Sequence, residues 1–219
     1  MVSAGGTREA LDPVRFLGNR SSGKQGYALA AAAVSRGAQV VLVAANTTAP
    51  APLGVELVEV ESALELRDAV EKLASGADVV VMAAAPADFR PADRSPYKIK
   101  KHDGTPAAPI DVVENPDILA GLVAERGSAV LPLLVGFAAE TGDEDAGVLE
   151  HGRAKLARKG CDLLVVNDVS GGAVFGADDN SAVILSADGA ERAVAHGSKV
   201  DLAHVIWDEV GRRLENRDP

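Results

Sequence analysis

The sequence predicts an α/β protein with a mainly parallel sheet covered by helices. Strand-length runs of Val, Ala and Leu alternate with helical patterns at the pitch of strand–helix–strand units, which wind with right-handed crossovers. The composition agrees with this reading. Of 219 residues, 47% are hydrophobic and only 3% aromatic, so the core is built from Ala, Val and Leu, the palette of strands buried on both faces. A chain of this length suits one domain, or one with an appended lobe, and buries a full core.

Met1-Val2-Ser3-Ala4 reads as the tail of a strand whose beginning is missing, as in a piece cut from a longer protein, and Gly5-Gly6-Thr7-Arg8-Glu9 is its exit loop. The loop Gly18-Asn19-Arg20-Ser21-Ser22-Gly23-Lys24-Gln25-Gly26 then hands over to a helix over residues 24–35, closed by Gly37. A buried strand follows at 39–44. The next unit is a strand at 56–60, a helix at 62–73 and a strand at 78–82, with Ser62 and Glu65 forming a capping box at the helix start.

From 86 to 114 the alternation breaks in a proline-rich stretch carrying Lys98-Ile99-Lys100-Lys101. Strand side chains alternate, so Lys98 and Lys100 share one face if the segment is extended. The expectation is a strand-like arm or flap; the alternative is a solvated basic loop. Asn115 as cap and Pro116 in the first turn predict a helix to residue 126. A buried strand at 129–137 empties into Ala138-Ala139-Glu140-Thr141.

The helix over 145–159 places Lys155 and Lys159 four residues apart, with Arg158 beside them. Like charges at that spacing repel by roughly 0.2–0.5 kcal/mol, which suits either an anionic target or a plain solvated face. A strand at 162–166 leads to Asn167-Asp168. Beyond Gly171, strands at 182–186 and 190–195 joined by Asp188-Gly189 give a hairpin. An amphipathic helix at 200–214 closes the chain, with Trp207 as packing. Hairpin and helix, about 181–215, read as architecture. The whole is a Rossmann-like three-layer fold with a mainly parallel sheet, a flap and a C-terminal β-hairpin, and residues 1–219 are expected to form one domain.

The formal net charge of −10 argues against a nucleic-acid backbone or an anionic membrane as partner, since both need a basic surface. Any anionic substrate is then drawn to a local cluster of Lys and Arg. One cysteine, Cys161, permits no intrachain disulfide, and no apolar stretch reaches membrane-spanning length. A cytoplasmic protein is expected.

Several chemistries fit poorly. His102, His151, His196 and His204 have no metal-ligand spacing. Ser21 lacks a nucleophile-elbow context. No G-x-G-x-x-G follows the first strand, and Ala44-Ala45-Asn46 stands where a nicotinamide site needs an acid. The loop Gly18–x4–Gly23-Lys24 nearly makes a P-loop, but Gln25 occupies the position that needs Ser or Thr for magnesium. A helix start still offers unpaired N–H groups and a positive dipole end to a phosphate, although an ordinary Ser/Gly cap has the same residues. Lysines on two elements, and carboxamides or carboxylates at Asn19, Asp88 and Asp117, suit phosphoryl or nucleotidyl transfer, in which catalysis is positioning and charge neutralisation.

Taken together, the motifs resemble phosphopantothenoylcysteine synthetase, the synthetase half of a bifunctional bacterial protein of coenzyme A biosynthesis. They are Ser3-Ala4-Gly5-Gly6-Thr7-Arg8-Glu9, Asp12-Pro13-Val14-Arg15, Asn19-Arg20-Ser21-Ser22-Gly23-Lys24, Ala84-Ala85-Pro86-Ala87-Asp88-Phe89-Arg90, Lys98-Ile99-Lys100-Lys101, Asn115-Pro116-Asp117-Ile118, Gly136-Phe137-Ala138-Ala139-Glu140-Thr141 and Asn167-Asp168-Val169. The resemblance spans essentially the whole chain. It departs at Gly6 and Ala10, where relatives often carry Pro, and at the short first strand.

The resemblance implies a reaction in which CTP activates 4'-phosphopantothenate as an acyl-cytidylate with loss of pyrophosphate. The amine of L-cysteine then displaces CMP. Magnesium accompanies the triphosphate, its ligands unassigned. The resemblance implies that Asn19 processes the intermediate, that Lys98 of the flap is catalytic, and that Asp88, Lys98, Pro116, Asp117, Ile118, Leu119, Phe137, Lys155 and Lys159 line the CTP site. Ser21, Ser22 and Gly23 are candidate phosphate contacts. It also implies a homodimer with the flap near the subunit boundary and fusion to a flavin-dependent decarboxylase domain, so no FMN is expected here. A P-loop-like kinase and a nucleotide-binding regulatory module are the alternatives.

Overall fold

Along the central strands, successive side chains point to opposite faces, and both faces are apolar. Val79, Val81, Leu133, Val135, Leu163 and Val165 pack in one buried cluster, while Val80, Met82, Leu134, Ala138, Leu164 and Val166 pack in the other. This period of two across a doubly covered sheet is what the Val/Ala/Leu runs dictate. The computed structural model describes residues 1–100, 109–140, 147–168 and 179–215.

The described elements, in chain order, are β1 (Val2–Gly5), β2 (Arg8–Ala10), β3 (Phe16–Gly18), α1 (Lys24–Ser35), β4 (Val40–Ala45), β5 (Val55–Val60), α2 (Ala63–Ala74), β6 (Val79–Met82), β7 (Phe89–Pro91), β8 (Val112–Glu114), α3 (Ile118–Arg126), β9 (Leu133–Glu140), α4 (Val148–Lys159), β10 (Leu163–Asp168), β11 (Asp179–Ser186), β12 (Glu191–Ser198) and α5 (Lys199–Glu215). The main sheet has the order β12-β11-β10-β9-β6-β1-β4-β5. The six strands from β5 to β10 pair in parallel, and β11 and β12 add on antiparallel. The α/β, mainly parallel fold with a C-terminal hairpin is thus present.

Helices α1 and α5 contribute to the first cluster, α2, α3 and α4 to the second. That gives three layers. The chain winds from β1 outward to β4 and β5, then returns to the other side of β1 at β6. The strand order therefore reverses between β1 and β6, and it is beyond the carboxyl ends at such a switch point that open α/β sheets hold ligands.

Helix α1 lies hard against β1. A Cβ on Gly26 would stand 2.5 Å from Ala4 Cβ and 2.8 Å from Ser3 O, so only glycine permits this approach. Trp207 is half-buried on α5, and its indole N–H donates to Leu29 O at 2.9 Å, which confirms it as packing. At α2 the capping box is complete: Ser62 accepts from Glu65 N, and the Glu65 carboxylate accepts from Ser62 N.

Several boundaries move for physical reasons. Strand β9 begins at Leu133 rather than 129, because Pro132 has no N–H to pair and Val130 and Leu131 face solvent. The first strand is a fully buried central one. The cap of α3 is Asp117, whose carboxylate accepts from Ala120 N at 3.1 Å, and not Asn115. The carboxamide of Asn115 is engaged elsewhere, donating to Ala87 O at 2.9 Å and accepting from Arg90 at 3.0 Å.

The stretch 86–114 contains a two-stranded antiparallel base, β7 with β8. Residues 98–100 are not strand, which corrects the expectation of an extended face shared by Lys98 and Lys100. Instead the segment is held to the β2–β3 hairpin: Ile99 N donates to Asp12 Oδ2 at 3.1 Å, and Arg15 donates to Ile99 O at 2.6 Å. Lys101 and His102 lie outside the described residues, as do residues 145–146, which were expected to open α4.

Candidate active site

A cleft of about 870 Å³ opens at the carboxyl ends of the parallel strands. Its floor is the segment after β6. Ala85 N donates to Gly5 O at 2.8 Å, Thr7 N to Ala85 O at 3.3 Å, and Ala87 N to Thr7 Oγ1 at 2.8 Å. These bonds fix Ala83 to Asp88 across the switch point.

One wall is the loop leading into α1. The cap residue, Gly23, sits at φ +76° and brings no side chain to the first turn. A Cβ there would come within 2.6 Å of the Thr47 methyl. Asn19 stands at the rim, its carboxamide donating to Pro86 O at 2.8 Å, which ties the loop to the floor. Ser21, Ser22 and Gly23 line this wall.

The opposite wall is charged. Lys155, on α4, pairs with Glu140 at 2.7 Å, and Lys159 pairs with Asp117. Each of the two lysines, four residues apart, has its own carboxylate, which offsets their mutual repulsion within the protein. Burial pushes the Asp117 carboxyl up, but the Lys159 hydrogen bond, the Ala120 N–H and the Lys159 and Arg158 charges outweigh it and hold it below the usual range. Pro116, Ile118 and Leu119 form the apolar part of this wall with half-buried Phe137.

Of the residues singled out from the sequence, Asn19, Ser21, Ser22, Gly23, Asp88, Pro116, Asp117, Ile118, Leu119, Phe137, Lys155 and Lys159 converge on this cleft. Lys98 does not line it; it is exposed beside the Ile99 anchor. Sequence reasoning passed over Glu140, which holds Lys155, and Asn115, which ties the base of the flap to the floor. It also passed over Lys199, the first residue of α5, which lines the cleft although the tail read as architecture. A lysine at a helix N-terminus, against the dipole, was the available signal.

Among the described residues no cluster of three or more His, Cys, Asp or Glu could hold a metal ion. Cleft carboxylates are present at Asp88, Glu114 and Asp117. Cys161 is fully buried under Gly136, and burial pushes its thiol up to about 11. It stays a neutral core residue. No helix among the described residues is long and apolar enough to cross a membrane.

Residues 1–214 match the family model described as the DNA/pantothenate metabolism flavoprotein C-terminal domain. The coenzyme A biosynthesis bifunctional protein CoaBC of Mycolicibacterium smegmatis is 55% identical over all of this chain and 53% of its own length; the chain thus spans about half of that relative. A crystal structure of the C-terminal domain of a CoaBC protein superposes with a TM-score of 0.78 at 34% identity, covering 98% of this chain and 94% of that one. A Cab2 mutant in complex with phosphopantothenate-cysteine, TM-score 0.75 at 18% identity over 97% of this chain and 85% of that one, shares the fold. On these matches the chain belongs to the DNA/pantothenate metabolism flavoprotein C-terminal domain family, and it corresponds to the C-terminal domain of CoaBC proteins.

Proposed function

We propose that residues 1–219 form a phosphopantothenate–cysteine ligase domain of coenzyme A biosynthesis that uses CTP. A carboxylate oxygen of 4'-phosphopantothenate attacks the α-phosphorus of CTP, and pyrophosphate leaves. The amine of L-cysteine attacks the acyl carbon, gives up a proton and expels CMP, leaving 4'-phosphopantothenoylcysteine. The observation that carries this reading is the cleft: the motif residues meet at the switch point, with helix-start dipoles on one side and lysines on the other.

In this reading the fixed carboxamide of Asn19 steadies the acyl-cytidylate by hydrogen bonding, without a charge that titrates. Lys155 and Lys159 neutralise the triphosphate, and Phe137 offers an apolar face to the nucleoside. Asp88, Pro116, Asp117, Ile118 and Leu119 shape the rest of its site, and Ser21, Ser22 and Gly23 present hydroxyl and N–H donors to a phosphate. Magnesium fits as a hydrated ion carried by the nucleotide, because it needs only one or two carboxylates plus phosphate oxygens, and Asp88 and Glu114 supply such groups. Bound there it neutralises phosphate charge and eases the departure of pyrophosphate.

Lys98 belongs to this chemistry by the resemblance, and it stands exposed next to Ile99, which is tied to Asp12 and Arg15. A homodimer is supported by exposed apolar residues on adjoining parts of the flap and the β2–β3 hairpin, among them Val14, Phe16, Phe89, Ile99, Val112 and Val113. Fusion to a flavin-dependent decarboxylase domain, a cytoplasmic location and no FMN in this domain are part of the proposal, as the resemblance implies; the relatives' description as bifunctional supports a fused second domain. Mixing the protein with CTP, magnesium and 4'-phosphopantothenate is expected to release pyrophosphate, and adding L-cysteine to release CMP. Absence of pyrophosphate with CTP would refute the ligase reading.

A further inference from the structure

Lys199 opens α5, a place where the helix dipole favours acids over cations. Its side chain is nonetheless about nine-tenths buried and forms part of the cleft wall. Taking an ammonium group out of water is costly without compensation, and its Nζ donates to the backbone carbonyl of Asp179 at 3.3 Å. The backbone of the same residue is gripped from the other side. The Gln25 carboxamide, in the first turn of α1, donates to Lys199 O at 3.1 Å. The starts of α1 and α5 are thereby tied together at one end of the cleft.

That end of the cleft also carries two buried carboxamide oxygens, Gln25 Oε1 and Asn167 Oδ1, that accept no hydrogen bond among the described residues. Few buried acceptors in native proteins are left this way, and an ordered water or ion is one thing that completes their bonding. A hydrated cation travelling with a polyphosphate brings such donors.

We infer that Lys199 is a further cation of the cleft, contacting a phosphate group of the substrates, with Gln25 as the residue that positions it. This rests on the ligase reading above. It gives Gln25 a purpose that its near-P-loop setting hides: the side chain holds a lysine from a distant helix. The phosphate is met by N–H dipoles from the start of one helix and by an ammonium from the start of another. Two sources supply that chemistry, the nucleotide and the phosphorylated acid.

Isothermal titration of the whole chain distinguishes them, using CTP with magnesium in one arm and 4'-phosphopantothenate in the other. Lys199→Met keeps the apolar stem and removes the charge. It is expected to weaken one ligand about tenfold, as loss of a hydrogen bond to a charged group does, and to flatten the salt dependence of that arm. Lys199→Arg restores most of the loss, and the arm that moves identifies the phosphate. Gln25→Leu, with Lys199 in place, weakens the same ligand severalfold and carries the test where Lys199→Met melts early. Unchanged affinity for both ligands in the variants that fold overturns the inference while leaving the ligase reading intact. A parent chain that binds neither ligand removes both.

Discussion

The two walls of the cleft are built from different materials. The wall before α1 mixes two cations, Arg20 and Lys24, with glycines, two serines and a carboxamide tied to the floor by a hydrogen bond from Asn19 to Pro86. The wall of α3 and α4 is ionic, with Lys155 on Glu140 and Lys159 on Asp117. Fixed dipoles keep their strength across pH and are little touched by salt, whereas charges at a rim are screened and titrate. In the proposed reaction the uncharged donors of the first wall, Asn19, Ser21 and Ser22, suit the reacting centre, and the carboxylate-paired lysines of the second suit holding a polyanion.

The largest effect that would sharpen this contrast is expected at Asn19. Asn19→Asp keeps the shape of the loop before α1 but adds a negative charge and removes a donor. CTP affinity should stay within a few-fold, while formation of the amide falls about a hundredfold or more and the acyl-cytidylate accumulates in a quenched reaction. Parallel losses of CTP affinity and turnover would instead make Asn19 a general binding residue.

Next comes the ionic wall. Lys155→Met should weaken CTP binding about tenfold and reduce the salt dependence of that affinity, measured by titration from low to high ionic strength. Ser21→Ala, which removes an uncharged donor from the loop before α1, serves as the reference whose salt slope matches the parent. Equal slopes for Lys155→Met and Ser21→Ala would erase the distinction between the walls.

Lys98→Gln is expected to raise the KM for CTP about threefold, as for a single charge screened in water. Kinetics identical to the parent would separate the flap from triphosphate handling.

The smallest effect is on stability in acid. The Asp117 carboxyl is held below its ordinary value. It therefore contributes stability that is present above the unfolded carboxylate pKa of about 3.9 and lost as pH falls through the folded one. The Asp117 side chain is 46% exposed, so the contribution is largely screened. Thermal melts should show Asp117→Asn about 1–2 °C below the parent at neutral pH, with the gap closing under pH 4. A gap that widens in acid would contradict the assigned sign.

The sheet was readable because a doubly buried strand needs nothing beyond its own residue types. Val79, Val80, Val81 and Met82 are apolar whichever way they face, and the assignment does not depend on any partner. The capping box of Ser62 and Glu65 was readable because both members lie within one turn. Asn115 misled because its carboxamide serves Ala87 and Arg90, and the cap passes to Asp117. The β2–β3 and β7–β8 hairpins, at three residues a strand, are too short to display a period. Of the site, the parts carried by contiguous motifs were visible, whereas Lys199 depends on a contact with Gln25 that spans most of the chain.

Asp12 sits where the hairpin before α1 meets the flap. Its carboxylate accepts from Val14 N, Arg15 N, the Arg15 guanidinium and Ile99 N. Burial pushes this carboxyl up, yet those donors hold it far below the usual range. The tether consequently stays ionised at any pH a cell reaches. It is one fastening shared by two segments: Ile99 on one side, and on the other the hairpin whose last strand runs into the loop bearing Asn19. The segment bearing Lys98 and the loop bearing Asn19 are in this way joined through a single side chain.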